Sequence, residues 1–318
     1  MLFAQDCFSN AHHYEIIHYT KKDGLISDNT FQAEQDNEGY IWIVTAKGIS
    51  RFNGKRFINY TTQNGLPENA IFGAFSLDSG MLFTPLLNKF TLFNNGQFRK
   101  VLSEINNKSR NYIFETYDNF LYISDGPNKT FKIYKNLSPY KEINFKHPIS
   151  FVYKSDLNTK EIMVYTYNND STMPRKYNFN RLGIAECTNL FIYRISNNIL
   201  IPSPEIDDKF YYFFALQNER NALCYLKNKQ LILHPLFLKN KVSVKSILSI
   251  GDSIQSLTTN KGIYFLNHYT NMITDSFLTN EDCNYVTIDK DKNLWVTTND
   301  HGLFYIKKSI TEQLPNYK

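Results

Sequence analysis

The chain has 318 residues, a formal net charge of +5 and 42% hydrophobic residues, enough for one large or two ordinary domains with a packed core. No stretch approaches the ~18 apolar residues of a membrane-spanning helix, and no block of like charges marks a nucleic-acid-binding arm. The apolar content leans to aromatics, with 25 Phe and 22 Tyr; these side chains suit pleated surfaces, and long helical periodicity is absent, so the expected class is all-β.

The start, Leu2-Phe3-Ala4-Gln5-Asp6, fits either the tail of a secretory signal peptide or a disordered N-terminus, and residues 1–13 are set apart on that basis. Glu15-Ile16-Ile17-His18-Tyr19-Thr20 reads as a strand with no hairpin partner beside it. A regular unit follows. A first strand (Thr30 to Glu34) leads into a polar turn (Asp36 to Gly39), then a continuous apolar strand (Tyr40 to Val44). Gly48 opens a third strand (Ile49 to Phe52), and Asn53-Gly54 predicts a two-residue hairpin into a fourth strand (Arg56 to Tyr60).

Later units are weaker. The second runs over about 69–101, with Leu77-Asp78-Ser79-Gly80 as its first turn and Asn95-Gly96 as its hairpin; the third covers about 111–145. The fourth (about 149–185) and fifth (about 188–233) keep dense aromatics and little else. In the sixth, Thr258 to Phe265 echoes Val44 to Phe52, and the seventh spans about 283–306. Trp42 and Trp295 are 253 residues apart, as are Asp36 and Asp289. At a period near 42 that interval holds about six steps, hence about seven units of four strands each.

These observations predict a seven-bladed β-propeller of four-stranded blades over residues 14–307, followed by a linker, 308–318. The last unit lacks a fourth strand, and Glu15 to Thr20 resembles Arg56 to Thr61. The N-terminal strand, residues 14–20, is therefore expected to join the last blade and close the ring, since an open blade would expose a sheet edge. A two-sheet sandwich is the alternative; it explains the strands but not the equal steps.

The repeat resembles the two-component regulator propeller family. Gly24-Leu25 with Asn29, Asp36, Gly39, Ile41-Trp42-Ile43, Thr45, Gly48-Ile49 and Phe52 carry the likeness, as do Gly65-Leu66-Pro67 with Asn69. Asp289, Leu294-Trp295-Val296, Thr298 and Gly302-Leu303 repeat it. The match is strong over residues 19–80 and 257–306, and no Trp occurs between. The resemblance implies a periplasmic, non-enzymatic sensor region of a Bacteroidetes-type, often hybrid, histidine kinase receptor. Its ligand would be a small molecule such as an oligosaccharide, and the full receptor could form a homodimer. No nucleic acid or cofactor is implied, and any membrane segment or kinase would lie outside this chain. Streptogramin lyases, with similar Asp-x-x-Gly-x-Leu-Trp strands, give the enzymatic alternative; a protein-interaction scaffold is the third reading.

No motif supplies catalytic, metal or cofactor residues. Cys7, Cys187, Cys224 and Cys283 form no CxxC pair, and the seven histidines (His12, His13, His18, His147, His234, His268, His301) show no metal-ligand spacing. Trp42 and Trp295 are expected in the core rather than as sugar platforms. Asp36 and Asp289 are expected to close turns rather than to bind calcium. The runs Phe210 to Phe214 and Tyr165 to Tyr167 are mainly core, with a share open to contacts. Topology places Lys21 to Asp28, Thr45 to Lys47, Gln63 to Glu68 and Thr298 to His301 on one face, the place for a polar ligand.

Overall fold

The computed structural model describes residues 14–85, 90–102, 112–117, 119–125, 129–145, 149–154, 162–166, 175–180, 183–187, 200–202, 211–216, 220–227, 230–234, 242–249, 254–267 and 269–308. Among these, the strands make seven four-stranded sheets. Contacts divide the chain into two compact units. One contains Met1–Ser76, Gly80–Lys100 and Lys245–Lys318, the other Leu77–Ser79 and Val101–Val244.

In the first unit, β1 (Tyr14–Tyr19) precedes β2 (Thr30–Gln35), β3 (Ile41–Thr45), β4 (Gly48–Phe52) and β5 (Phe57–Tyr60), and β2 to β5 form one sheet in chain order. The next sheet is β6 (Ile71–Leu77), β7 (Gly80–Pro85), β8 (Thr91–Asn94) and β9 (Gln97–Lys100). The second unit holds three sheets. They are β10 (Tyr112–Tyr117), β11 (Phe120–Asp125), β12 (Thr130–Lys135) and β13 (Ser138–Asn144); β14 (Ile149–Lys154), β15 (Ile162–Thr166), β16 (Arg175–Asn180) and β17 (Gly183–Cys187); and β18 (Leu200–Pro202), β19 (Tyr211–Leu216), β20 (Arg220–Lys227) and β21 (Gln230–Leu233). The first unit resumes at Lys245, within β22 (Val244–Ser249), and continues through β23 (Ile254–Thr259), β24 (Gly262–Asn267) and β25 (Met272–Phe277), then β26 (Cys283–Ile288), β27 (Leu294–Thr298) and β28 (Leu303–Lys308).

The N-terminal strand pairs with β28, giving a sheet ordered β1-β28-β27-β26. Tyr14 lies opposite Lys308 and Tyr19 opposite Leu303, antiparallel and without a bulge. Tyr19 packs flat against Trp295 and His18 against Phe304, so the strand adds aromatic contacts to its ladder. It ends at Tyr19 because Thr20 turns away as the cap of the next element.

The continuous apolar second strands are buried on both faces, as their sequence predicts. Trp42 and Val44 of β3 pack with Ile71, Ala74, Met81, Phe83 and Phe93 of the following sheet. Ile41 and Ile43, pointing the other way, pack with Trp295 and Leu303 of the β1-β28-β27-β26 sheet. Trp42 and Trp295 are only 1% and 4% exposed, core positions as expected.

One hairpin departs from expectation. Asn95-Gly96 forms a tight two-residue turn, with φ of 48° and 76° and Asn94 paired to Gln97. Asn53-Gly54 does not: Phe52 pairs with Phe57, leaving a four-residue connection. The Asn53 side chain causes this by accepting from the backbone N–H groups of both Lys55 and Arg56, so the fourth strand starts at Phe57 rather than Arg56. Residues 1–13, 309–318, His147, His268, Phe210 and Tyr167 lie outside the described residues, as do the side chains of Tyr165 and Tyr211 to Phe214.

Candidate functional site

The loop face named from topology divides into a rigid part and a chemically richer part. The rigid part is the repeated Gly-Leu link. Thr20 caps a 3-10 turn over Lys21–Asp23, and Thr61 caps another over Thr62–Asn64. In each, the side chain of the third turn residue accepts from the cap's backbone N–H: Asp23 from Thr20, Asn64 from Thr61. These bonds, with the Thr20 hydroxyl, hold the Asp23 carboxyl below the ordinary carboxylate range.

Gly24 and Gly65 end the turns in the left-handed region, at φ of 102° and 90°. That reversal drops Leu25 and Leu66 into the core at 3% and 2% exposure. Asp28 and Asn69 then accept from the first turn residue, Lys21 and Thr62 respectively, at 2.8 Å in both links. The structural counterpart of Asn69 is thus Asp28, not Asn29, the residue that the motif pairs with it. Asp23 and Asp28 in one segment, and Asn64 and Asn69 in the other, thus close their own link, while Lys22 and Gln63 stay exposed.

The richer part surrounds Thr298 to His301. Thr30 donates its hydroxyl to the carbonyls of Thr298 and Gly302, so the first strand of one sheet clamps the loop of its neighbour. Gly302 N–H donates to Asp28 C=O at 2.6 Å. His18 Nε2 donates to the His301 carbonyl at 2.5 Å, tying β1 to this loop. The exposed His301 ring bonds the Glu281 carboxylate, and that hydrogen bond, with the Glu281 charge, raises the imidazole above its ordinary pKa. The Thr45 loop is closed locally by its hydroxyl, bonded to Gly48 C=O and Lys47 N–H.

At the opposite ends of β3 and β27 sits a pairing that sequence reasoning took apart. Asp36 Oδ1 accepts from Glu38 N–H at 3.0 Å and Tyr40 N–H at 2.9 Å, closing the turn. Its Oδ2 accepts from the Trp42 indole N–H at 2.6 Å. Asp289 repeats this with Asp291, Asn293 and, at 3.0 Å, Trp295. The six-residue Asp-to-Trp spacing was the available signal: a buried indole needs an acceptor, and the preceding turn supplies it. Arg51 roofs Trp42, its guanidinium 3.5 Å from the Tyr40 ring centroid and bridged to Glu38. In the other copy Tyr305 stacks on Trp295 at 4.3 Å. The Asp-to-Trp repeat is therefore a fold element.

Cys283 is free and buried; burial, reinforced by the Glu281 charge, pushes its thiol up to about 12. Among the described residues no group of three or more His, Cys, Asp or Glu could hold a metal ion, and no helix is long and apolar enough to cross a membrane.

No protein-family profile matches the chain, and no curated protein matches it. Solved structures do. The extracellular domain of a hybrid two-component system from B. thetaiotaomicron superposes with a TM-score of 0.58 at 13% identity, over 92% of this chain and 42% of that one. Virginiamycin B lyase from Staphylococcus aureus gives a TM-score of 0.63 at 13% identity, over 92% of this chain and 99% of that one. The WD40 β-propeller domain of Doa1 gives 0.57 at 8% identity, over 91% of this chain and 98% of that one.

The chain has a β-propeller fold. At such identities the likeness fixes architecture alone, and propellers serve many chemistries. This propeller spans less than half the length of the B. thetaiotaomicron domains it matches, 40% and 42%. The two Gly-Leu links of the propeller are closed by their own caps, and they keep exposed polar side chains (Lys22, Gln63) as does the Thr298 to His301 loop (Asp300, His301).

Proposed function

We propose that this propeller is a non-enzymatic, extracytoplasmic sensor module of a two-component receptor, with a saccharide as its ligand. Seven blades form its ring, and β1 closes it by completing the last blade. The observation that carries the reading is the paired occurrence of two features. One is the Gly-Leu link followed by the Asp-to-Trp strand, the sequence grammar of the regulator propellers; the other is the likeness to the extracellular domain of a hybrid two-component system. A ligand that prefers one arrangement of the receptor, including its dimer, would bias the attached kinase by that preference.

An antibody to this chain, applied to cell fractions of the source organism, tests the assignment. The expected result is a membrane-bound protein larger than the 37.3 kDa of this chain that incorporates label from ATP. A released protein of that mass with no phosphorylation would overturn it.

One observation favours a second reading: the chain matches 99% of the length of virginiamycin B lyase. A lyase would need a general base and metal ligands on one face; His301, exposed and bonded to Glu281, is a candidate base among the described residues. Turnover of a streptogramin that stops on metal removal would establish it.

A further inference from the structure

In the first unit each second strand turns one face to a neighbouring sheet. In β3 that face carries Trp42 and Val44, packed on the sheet of β6 to β9. In β27 it carries Trp295 and Thr297, with Trp295 packed on the sheet of β2 to β5. Strand register identifies the matching face of β23. Ser256 lies opposite Phe265, as Trp42 lies opposite Arg51 and Trp295 opposite Tyr305. Two residues on, Thr258 lies opposite Ile263, as Val44 lies opposite Ile49 and Thr297 opposite Leu303. The sixth sheet thus has serine where the other two have tryptophan.

Cross-strand partners share a face, so Ser256 and Thr258 look the same way as Phe265 and Ile263. That face packs on the last sheet, against Cys283, Val286, Leu294, Val296 and Ile306. The opposing wall is smaller as well. Val296 and Ile306 hold the places that Phe83 and Phe93 hold against Trp42. The seam lacks three rings that its counterpart has. Phe265 restores one, turned edge-on to Phe277 at 5.7 Å.

What remains inside is polar. Ser256 and Thr258 are 0% exposed, and among the described residues neither hydroxyl meets a hydrogen-bond partner. Their counterparts in the last sheet are satisfied. The Trp295 indole donates to Asp289, and the Thr297 hydroxyl donates to the Phe31 carbonyl at 3.1 Å. Phe31 is the second residue of β2; the second residue of β26 is Asn284. A buried hydroxyl left dry carries its full desolvation penalty, and native interiors rarely leave one so.

We infer that the seam between β23 and β26 is a site for buried water, bonded to the Ser256 and Thr258 hydroxyls. The class follows from what the seam offers. Its groups are closed to solvent, so the occupant is small. Both hydroxyls donate and accept, and the packed side chains around them are apolar, so an ion would lack a countercharge. An apolar occupant would leave both hydroxyls unmet. Water meets them and has capacity for a third bond, which buried waters ordinarily make. Beside Thr258 that bond goes to the Asn284 carbonyl, the counterpart of the one that Thr297 reaches directly. This seam is then joined through exchangeable water where its two counterparts are joined through an indole and a carboxylate.

The test is a crystal structure of the full 318-residue chain at a resolution that shows ordered water, beside urea unfolding of Thr258→Val and Thr258→Ser. Water is expected within hydrogen-bond distance of Ser256 Oγ and Thr258 Oγ1. Thr258→Val keeps the shape of the side chain and deletes the hydroxyl, so it should lose the water beside residue 258 and lower the urea midpoint. Thr258→Ser should keep the water and shift the midpoint less. A wild-type seam that is dry, or in which both hydroxyls bond protein groups directly, overturns the inference. So does a Thr258→Val midpoint at or above wild type, the result for a hydroxyl that had no partner to lose.

Discussion

Removal of the Asp36 carboxylate should destabilise the first unit more than a turn residue ordinarily does. In Asp36→Ala three donors lose their acceptor: the backbone N–H groups of Glu38 and Tyr40 and the indole N–H of Trp42. The backbone groups sit in a surface turn, where water can replace the carboxylate. The indole cannot be reached by water, because Trp42 is 1% exposed beneath Arg51 and Tyr40. An unpaired buried donor costs roughly 1–3 kcal/mol, and a bond to a charged acceptor lies at the upper end. With the weakened turn the expected total is about 2–4 kcal/mol.

Trp42→Phe deletes the donor and so should remove much of the penalty of Asp36→Ala. Urea unfolding followed by Trp295 emission gives the double-mutant cycle in the same unit, with an expected coupling of at least ~1 kcal/mol. Additivity of the two substitutions within ~0.3 kcal/mol would refute the hydrogen-bond reading and leave Asp36 a turn residue only.

Three further outcomes are expected. Deleting residues 14–19 strips β28 of its partner and uncovers Phe304 and Trp295, so the product should aggregate or unfold at much lower urea; a stable monomer on light scattering would contradict this. Cys283 should resist a thiol reagent in the folded chain and react on unfolding. Its folded pKa is raised to about 12; folding therefore favours the protonated thiol, a contribution intact below the unfolded thiol's pKa and lost as pH rises through the folded value. Alkaline unfolding curves of wild type and Cys283→Ala should accordingly converge toward high pH, and a constant offset would count against it. Gly65 has φ of 90° and open space where a methyl group would sit; Gly65→Ala should cost about 1–2 kcal/mol by backbone strain alone, and Gly65→Asn less, as measured by urea midpoints.

Much of the fold is legible in the sequence because the signals are local. The continuous apolar run Ile41 to Val44 announces a strand buried on both faces, and the interval between the two tryptophans sets the number of steps. The unpartnered strand near Ile16 and the missing strand after Ile306 point to each other, which is a long-range inference made from two local gaps. Asn53-Gly54 misleads because side-chain closure competes with the two-residue turn, and the dipeptide alone does not reveal which wins. The Asp36–Trp42 bond is missed because turn chemistry and core packing are ordinarily read from separate residues.

The most direct measurement is phosphorylation of the native receptor in membranes as an oligosaccharide that binds this chain is titrated. Label incorporation should change with saturation in the wild type. Unchanged phosphorylation of the wild-type receptor at a saccharide concentration that fills the propeller would contradict the sensor reading.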